Sequence, residues 1–321
     1  MYSSYSSLQQ SQLAAQGYYD TQSTYLLVYA PGRNTALRAT LADQLHRKFR
    51  LADTLGSALT EGVDGVLLVS EDVECMSTAL MCFAKALQDG ADYAVCNAVF
   101  GFGGATALYQ SRAHLAQNRC ALVSRPLLER CRAAAKDPEN VTELLALAAQ
   151  FCAHPARIPQ ALLHYERDIC AEDAFSATGK RAFLMSHVLD MTGAPIVLVS
   201  AVPVLRSMGY EVVVLGPSDG GALQLFVDAG AAVITRPGIR ATPNLWGLAL
   251  CTDLVLVNTV VMARTVRALS GTAVPVLWWL HDAFAGYPHI AHQIPTKLAE
   301  NVRLYSCLLY TSPSPRDKRQ S

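Results

Sequence analysis

The chain has 321 residues, enough for two domains, because a single hydrophobic core rarely grows beyond roughly 250 to 300 residues. Apolar residues make up 51% and charged residues 16%, which excludes disorder over most of the length. Lys plus Arg and Asp plus Glu are equal at 26 each, so no net field would hold the chain on a nucleic-acid backbone or an anionic membrane, and nucleic acid is excluded as a partner.

In chain order, Met1 to Gln22 is rich in Ser, Gln and Tyr and reads as a disordered N-terminus. It has neither the basic start nor the apolar core of a signal peptide, so a cytoplasmic location is expected. The longest apolar runs, such as Val274 to Leu280, reach strand length only, far below the ~20 residues of a spanning helix. No transmembrane segment is expected, and any association with the inner face of the membrane would be peripheral. Nine cysteines at irregular spacings, without a C-x-x-C pair, read as reduced core residues rather than a zinc site or disulfide framework.

Asp64-Gly-Val-Leu-Leu-Val-Ser-Glu-Asp-Val-Glu74 predicts a buried strand that delivers three carboxylates at its end. Such a cluster either holds a hard divalent cation against a diphosphate or forms a solvated acidic turn. Together with Arg50 to Gly62 before it and Ala156 to Glu166 after it, this segment resembles the middle and closing parts of family 2 (GT-A) glycosyltransferases. The resemblance implies a Mg²⁺ or Mn²⁺ site at Glu71 and Asp72. Ser70-Glu71-Asp72 stands where that family has D-x-D and keeps only the last acid, so the ion is expected to bind weakly. Where the family places an acidic catalytic pair, this chain has Glu139-Asn-Val-Thr-Glu143, with no base in register. Residues 23–170 therefore read as a diverged GT-A-like module, and residues 171–180 as a linker.

From Arg181 the pattern alternates β-rich runs with helical stretches, the mark of a parallel α/β sheet. Five strands are predicted: Ala182 to Met185, Glu211 to Leu215, Ala232 to Thr235, Leu254 to Asn258 and Val274 to Leu280. A helix is predicted from about Pro195 to Met208, closed by Gly209 and kinked at Pro203. The loop Ser186 to Pro195 joins the first strand to this helix, where α/β folds bind ligands. Gly193 there serves either a tight turn or a close ligand approach. The loop lacks the G-x-G-x-x-G of a dinucleotide site.

Ser186-His187, Thr192-Gly193-Ala194-Pro195, Gly209-Tyr-Glu-Val-Val-Val-Leu-Gly-Pro217, Val255-Leu-Val-Asn-Thr259 and Pro275-Val-Leu-Trp-Trp-Leu-His281 resemble, in order and spacing, the N-terminal domain of family 4 glycosyltransferases of bacterial type. The resemblance covers 181–306. It implies a GT-B fold of two Rossmann-like domains, with a glycan acceptor mainly on the first, a nucleotide-sugar donor on the second, and no metal cofactor. Under it Thr192, Gly193 and Ala194 lie against the donor diphosphate or acceptor, and His281 and Asp282 carry catalysis, with Asp where the family usually has Glu. Asn258 and Thr259 are either acceptor contacts or caps of the helix that follows. Without that resemblance His281 reads as a capping histidine or one at the edge of the core.

Cys307 to Asp317 matches one reading frame of a transposase adapter used in sequencing libraries, so the natural sequence is expected to end near Ser306 and 307–321 to be an artefact tail. The donor domain is then expected to be missing and the chain inactive, with apolar surface exposed around Trp278, Trp279, Phe284 and Tyr287. The function expected is sugar transfer to a cell-surface glycan, as in polysaccharide biosynthesis. Two other readings are a non-catalytic scaffold of glycan machinery with degenerate modules, and a nicotinamide-dependent sugar-modifying enzyme, which the missing glycine fingerprint disfavours.

Overall fold

A computed structural model describes residues 18–56, 59, 62–110, 119–175, 179–239, 247–281 and 288–306. The chain divides into two compact units, one of residues 1–101 and 108–169, the other of 102–107 and 170–321.

In the first unit, β1 (Leu26–Tyr29) lies parallel between β2 (Phe49–Ala52) and β3 (Gly65–Val69), with α1 (Thr35–Leu41) in the crossover. β3 is apolar and buried along its whole length, as a strand covered on both faces must be. After β4 (Glu74–Cys75) and α2 (Ala79–Gln88) come β5 (Tyr93–Phe102) and β6 (Ala105–Gln110), whose residues 102–107 belong to the second unit. β7 (Cys120–Ser124) runs antiparallel to β3 and β5, which makes the sheet mixed. α3 (Arg125–Ala134) and α4 (Val141–Phe151) pack Leu127, Leu128, Leu144 and Leu145 against the sheet. β8 (Pro155–Asp168) then adds parallel to β5 and antiparallel to β4.

Residues 18–22, expected within a disordered N-terminus, belong to a 3₁₀ helix, Tyr18–Ser23. The Thr21 hydroxyl is buried against His46 Nδ1 at 3.2 Å, and this contact supplies order that local composition did not signal. Cys75, Cys82, Cys96, Cys120 and Cys131 are buried free thiols, and burial pushes Cys75 and Cys82 up to about 12.

The second unit opens on α5 (Ala171–Ala174), within the stretch expected as a linker. Asp173 caps its start through the Cys170 amide at 2.9 Å, and Phe175 is fully buried after it. The remaining strands are β9 (Lys180–Met185), β10 (Tyr210–Gly216), β11 (Ala232–Thr235), β12 (Leu254–Asn258), β13 (Val276–Leu280) and β14 (Val302–Ser306). All are parallel, in the order β11-β10-β9-β12-β13-β14. The sequence pattern missed β14, because its Arg303, Leu304 and Tyr305 are exposed and it lacks the apolar run of a central strand. β13 begins two residues later than expected, since Pro275 has no N–H to give the ladder.

α6 (Gly193–Ser207) follows β9 and ends on Gly209, whose φ of 85° a side chain would resist. Pro195 falls in its first turn, where no intrahelical N–H is needed. The helix continues through Pro203, which is on its exposed side. Between α6 and α7 (Ala222–Asp228) and the sheet, Leu198, Val202, Val212, Val214 and Phe226 form the core. In chain order these strands stand 3-2-1-4-5-6, so the order reverses between β9 and β12. A crevice opens there at the strands' C-terminal ends, which is where such sheets take ligands.

Candidate functional site

At that switch point β12 ends in Asn258 and Thr259, both fully buried. Asn258 Nδ2 donates to the carbonyl of Ala194, in the first turn of α6, at 3.0 Å. Its Oδ1 therefore faces His281 Nε2, 2.8 Å away at the end of β13. Since Oδ1 can only accept, Nε2 carries the proton, and a neutral His281 has its lone pair on Nδ1. The Trp279 ring lies 4.9 Å from the His281 ring, centroid to centroid. Thus the expected site residues Ala194, Asn258 and His281 form one hydrogen-bonded chain across three elements.

Thr259 is the single described residue other than glycine with positive φ, at φ 70° and ψ 163°. That region is almost closed to a β-branched residue and costs roughly 1–3 kcal/mol. Neighbouring bonds hold it. The Thr259 amide donates to the Trp279 carbonyl at 2.8 Å, and the Trp278 indole N–H donates to the Thr259 carbonyl at 2.8 Å. The Thr259 hydroxyl sits 3.3 Å from Nδ1 of His187, in the loop after β9. Trp278, expected as exposed apolar surface, is instead 1% exposed, because its N–H finds this carbonyl inside the fold. Asp282, Phe284 and Tyr287 lie outside the described residues, as does the tail from Cys307.

Thr192 is the exposed N-cap residue of α6, and Gly193 its exposed first residue. Gly193 does not have a positive φ, and a Cβ built on it meets nothing within 4 Å. Neither a turn nor internal packing requires glycine there. The loop carrying Ser186, His187 and Thr192 rests on two other glycines, Gly216 and Gly220. A Cβ on Gly220 would lie 2.3 Å from the Leu189 carbonyl oxygen, and one on Gly216 would lie 2.5 Å from Leu189 Cγ. That carbonyl accepts from the Ala222 amide at 2.8 Å, which fastens the loop to the start of α7.

The acids of the first unit go to separate partners. Asp72 Oδ2 accepts from the Thr35 amide and hydroxyl, each at 3.0 Å, and from the Ala36 amide at 3.1 Å, and Oδ1 accepts from the Leu37 amide at 3.1 Å. It caps α1, whose own N-cap Asn34 makes no side-chain bond to the helix. Partial burial works to raise the Asp72 carboxyl, but these hydrogen bonds outweigh it and hold it below the ordinary value. Glu71 meets Arg167 in a fork, at 2.6 Å to Nη2 and 3.2 Å to Nε, while Arg167 lies over Phe100 and Tyr165. Glu74 pairs with His164 Nδ1 at 2.7 Å. Among the described residues no three His, Cys, Asp or Glu side chains are grouped to hold a metal. Glu139 accepts from the Leu55 amide at 2.6 Å and from the Tyr29 hydroxyl at 3.2 Å. Burial, with Glu139 beside it, pushes that hydroxyl up to about 12. Glu143 caps the Lys136 and Asp137 amides at 2.8 and 3.2 Å.

The second unit is thus a Rossmann-like α/β domain with a polar site at its strand switch point. Residues 178–309, a stretch that spans nearly all the described part of this unit, match the family model described as Glycosyl-transferase family 4. No curated protein and no solved structure matches the chain.

Two outcomes follow for stability. Gly220→Ala must displace the Leu189 carbonyl and should lower stability by about 1–3 kcal/mol, read by urea denaturation; an unchanged midpoint would show that the loop yields freely. Asp72→Ala should cost about 1 kcal/mol at pH 7 through loss of the cap. Because the folded carboxyl is depressed, its contribution is present above the unfolded value near pH ~4 and lost as the pH falls through the folded one, so the wild-type advantage should close in acid. A difference independent of pH would assign the loss to packing.

Proposed function

We propose that the second unit is the acceptor-side domain of a GT-B glycosyltransferase that moves a sugar from a nucleotide-sugar donor to a glycan acceptor, such as a cell-surface polysaccharide. The observation that carries this reading is the convergence of Ala194, Asn258 and His281 at the switch point of a domain matching family 4. His281 is the residue proposed to touch the reacting sugar. Asn258, buried and bonded at both ends of its amide, is read as the residue that aims it. Gly193 is read as a close-approach position for phosphate or sugar, since the fold itself gives no reason for glycine there. No metal is assigned to this domain.

For the first unit we propose a diverged GT-A-like module that supports packing or acceptor docking. Its mixed sheet and the capping and pairing roles of Asp72 and Glu71 favour that over metal-dependent transfer. Among the described residues no helix is long and apolar enough to cross a membrane.

Titration of the chain with a panel of nucleotide-sugars and glycosides, followed by tryptophan fluorescence, tests the reading, with Trp279→Phe identifying the reporter beside His281. Binding should be saturable and should weaken at least tenfold in His281→Ala. Gly193→Ala separates the alternatives at that position. It should leave the melting temperature unchanged or slightly raised, since Ala is the better helix former, while weakening binding. No response to any nucleotide-sugar or glycoside would remove the proposal, and full binding by Gly193→Ala would remove the close-approach role.

A further inference from the structure

In the first unit a cleft of about 550 Å³ opens between the last turn of α2 and the start of β8. That volume is in the range of pockets that take small metabolites. β5 and β8 begin side by side, Tyr93 against Pro155, so the cleft lies at the N-terminal ends of these parallel strands. β3 runs the same way as β5, since both are antiparallel to β7, and it delivers Ser70, Glu71 and Asp72 at its C-terminal end. The cleft is therefore at the opposite end of the sheet from those acids. Its wall carries Lys85, His154 and Arg157 against the carboxylate of Asp89, with Ile158 and Pro159 as an apolar part. Lys85 and Asp89 form an i,i+4 pair in which the Lys85 side chain is 26% exposed and that of Asp89 61%. A pair so open to water holds its members weakly, so an incoming anion can draw the ammonium away from Asp89. The backbone of His154 is fixed twice by Asp92: its amide donates to Oδ1 at 2.9 Å, and its carbonyl accepts from the Asp92 amide at 3.1 Å. The residue itself is exposed at the mouth of the cleft. A bulge in β8 shapes the facing wall. Cys96 is in register with Ile158 and Asn97 with Ala161, so Pro159 and Gln160 are looped out, and such a bulge re-aims the side chains beside it. The buried Asn97 fastens it, donating from Nδ2 to the Pro159 carbonyl at 2.7 Å and accepting from Arg157 Nη2 at 3.3 Å. Arg157 Nη2 also donates to Gln110 Oε1 at 2.5 Å, so this guanidinium is committed within the fold and serves as fixed wall.

We infer that this cleft binds a small organic anion, whose carboxylate or phosphate lies on Lys85 and His154 and whose carbon part rests on Ile158 and Pro159. Asp89 is an internal competitor that holds Lys85 until the ligand anion replaces it. Lysine suits this exchange, because its ammonium is a compact charge on a flexible stem and can turn from one oxyanion to another. A neutral ligand of the same size brings no charge to replace that of Asp89. The site lies wholly in the first unit and does not rest on the function proposed for the second.

Calorimetric titration of the full chain with glucose 6-phosphate, glucuronate and glucose tests the site. The first two separate a phosphate from a carboxylate, and the third offers the same ring without charge. One or both anions should bind saturably, and glucose about tenfold more weakly or not at all. Lys85→Met should weaken the anion by about tenfold and His154→Gln by about threefold, each without lowering the melting temperature. Asp89→Asn, which removes the competing charge and keeps the side chain's size, should tighten binding by about threefold. His281→Ala should leave the affinity unchanged, whereas binding lost in that variant would assign the anion to the second unit and overturn the cleft. Failure of both anions to bind, equal binding of glucose, or full affinity in Lys85→Met would also overturn it. Because Asp89 is largely exposed, its variant reads the site even where Lys85→Met fails to fold, and affinity unchanged or weakened in Asp89→Asn would refute the exchange at Lys85.

Discussion

One side-chain amide holds the site of the second unit together. Asn258 donates to the Ala194 carbonyl and accepts from His281, and so ties the end of β12 to the first turn of α6 and to the end of β13. Because the amide is fully buried, both of its hydrogen bonds have to be made, and an amide turned the wrong way would leave two polar groups unsatisfied. This requirement sets the tautomer of His281 as well as its position. The site lies beside the point between β9 and β12 where the order of the parallel strands reverses.

The neighbouring residue works under the opposite condition. Asn258 is relaxed and fully bonded, whereas Thr259 occupies a backbone region that costs roughly 1–3 kcal/mol. Its bonds to Trp278 and Trp279 keep that conformation in place, and both indole rings thereby serve the site, one by hydrogen bond and one beside His281. Glycines at 216 and 220 let the loop after β9 come close enough for His187 to reach Thr259. Local strain and close backbone packing are thus concentrated at the edge of the sheet where Asn258 meets His281.

The first unit shows how a cluster of acids can be recruited for structure. Asp72 closes the open end of α1, Glu71 neutralises an arginine lying over two aromatic rings, and Glu74 pairs with His164. Each carboxylate is committed to its own donors, and among the described residues no three such groups are gathered to hold a metal. A cation site needs several oxygens converging on one point, and adjacency in sequence does not provide that.

The sequence by itself determined the α/β class, most of the strands of the second unit and the edge of the sheet at which Gly193, Asn258 and His281 lie. Those features depend on local rules: an apolar run long enough for a buried strand, a glycine after a helix, and the tendency of parallel strands to present polar residues at their C-terminal ends. The strand β14, the order in the 18–22 segment and the burial of Trp278 came only from tertiary structure, because each depends on partners distant in sequence. The same holds for roles within the site. That Asn258 and Thr259 are buried supports, that Gly193 has open space around it, and that Asp72 is a helix cap all follow from which groups the fold brings within hydrogen-bonding distance. A residue's type limits the bonds it can make, and the packed chain alone decides which of them it makes.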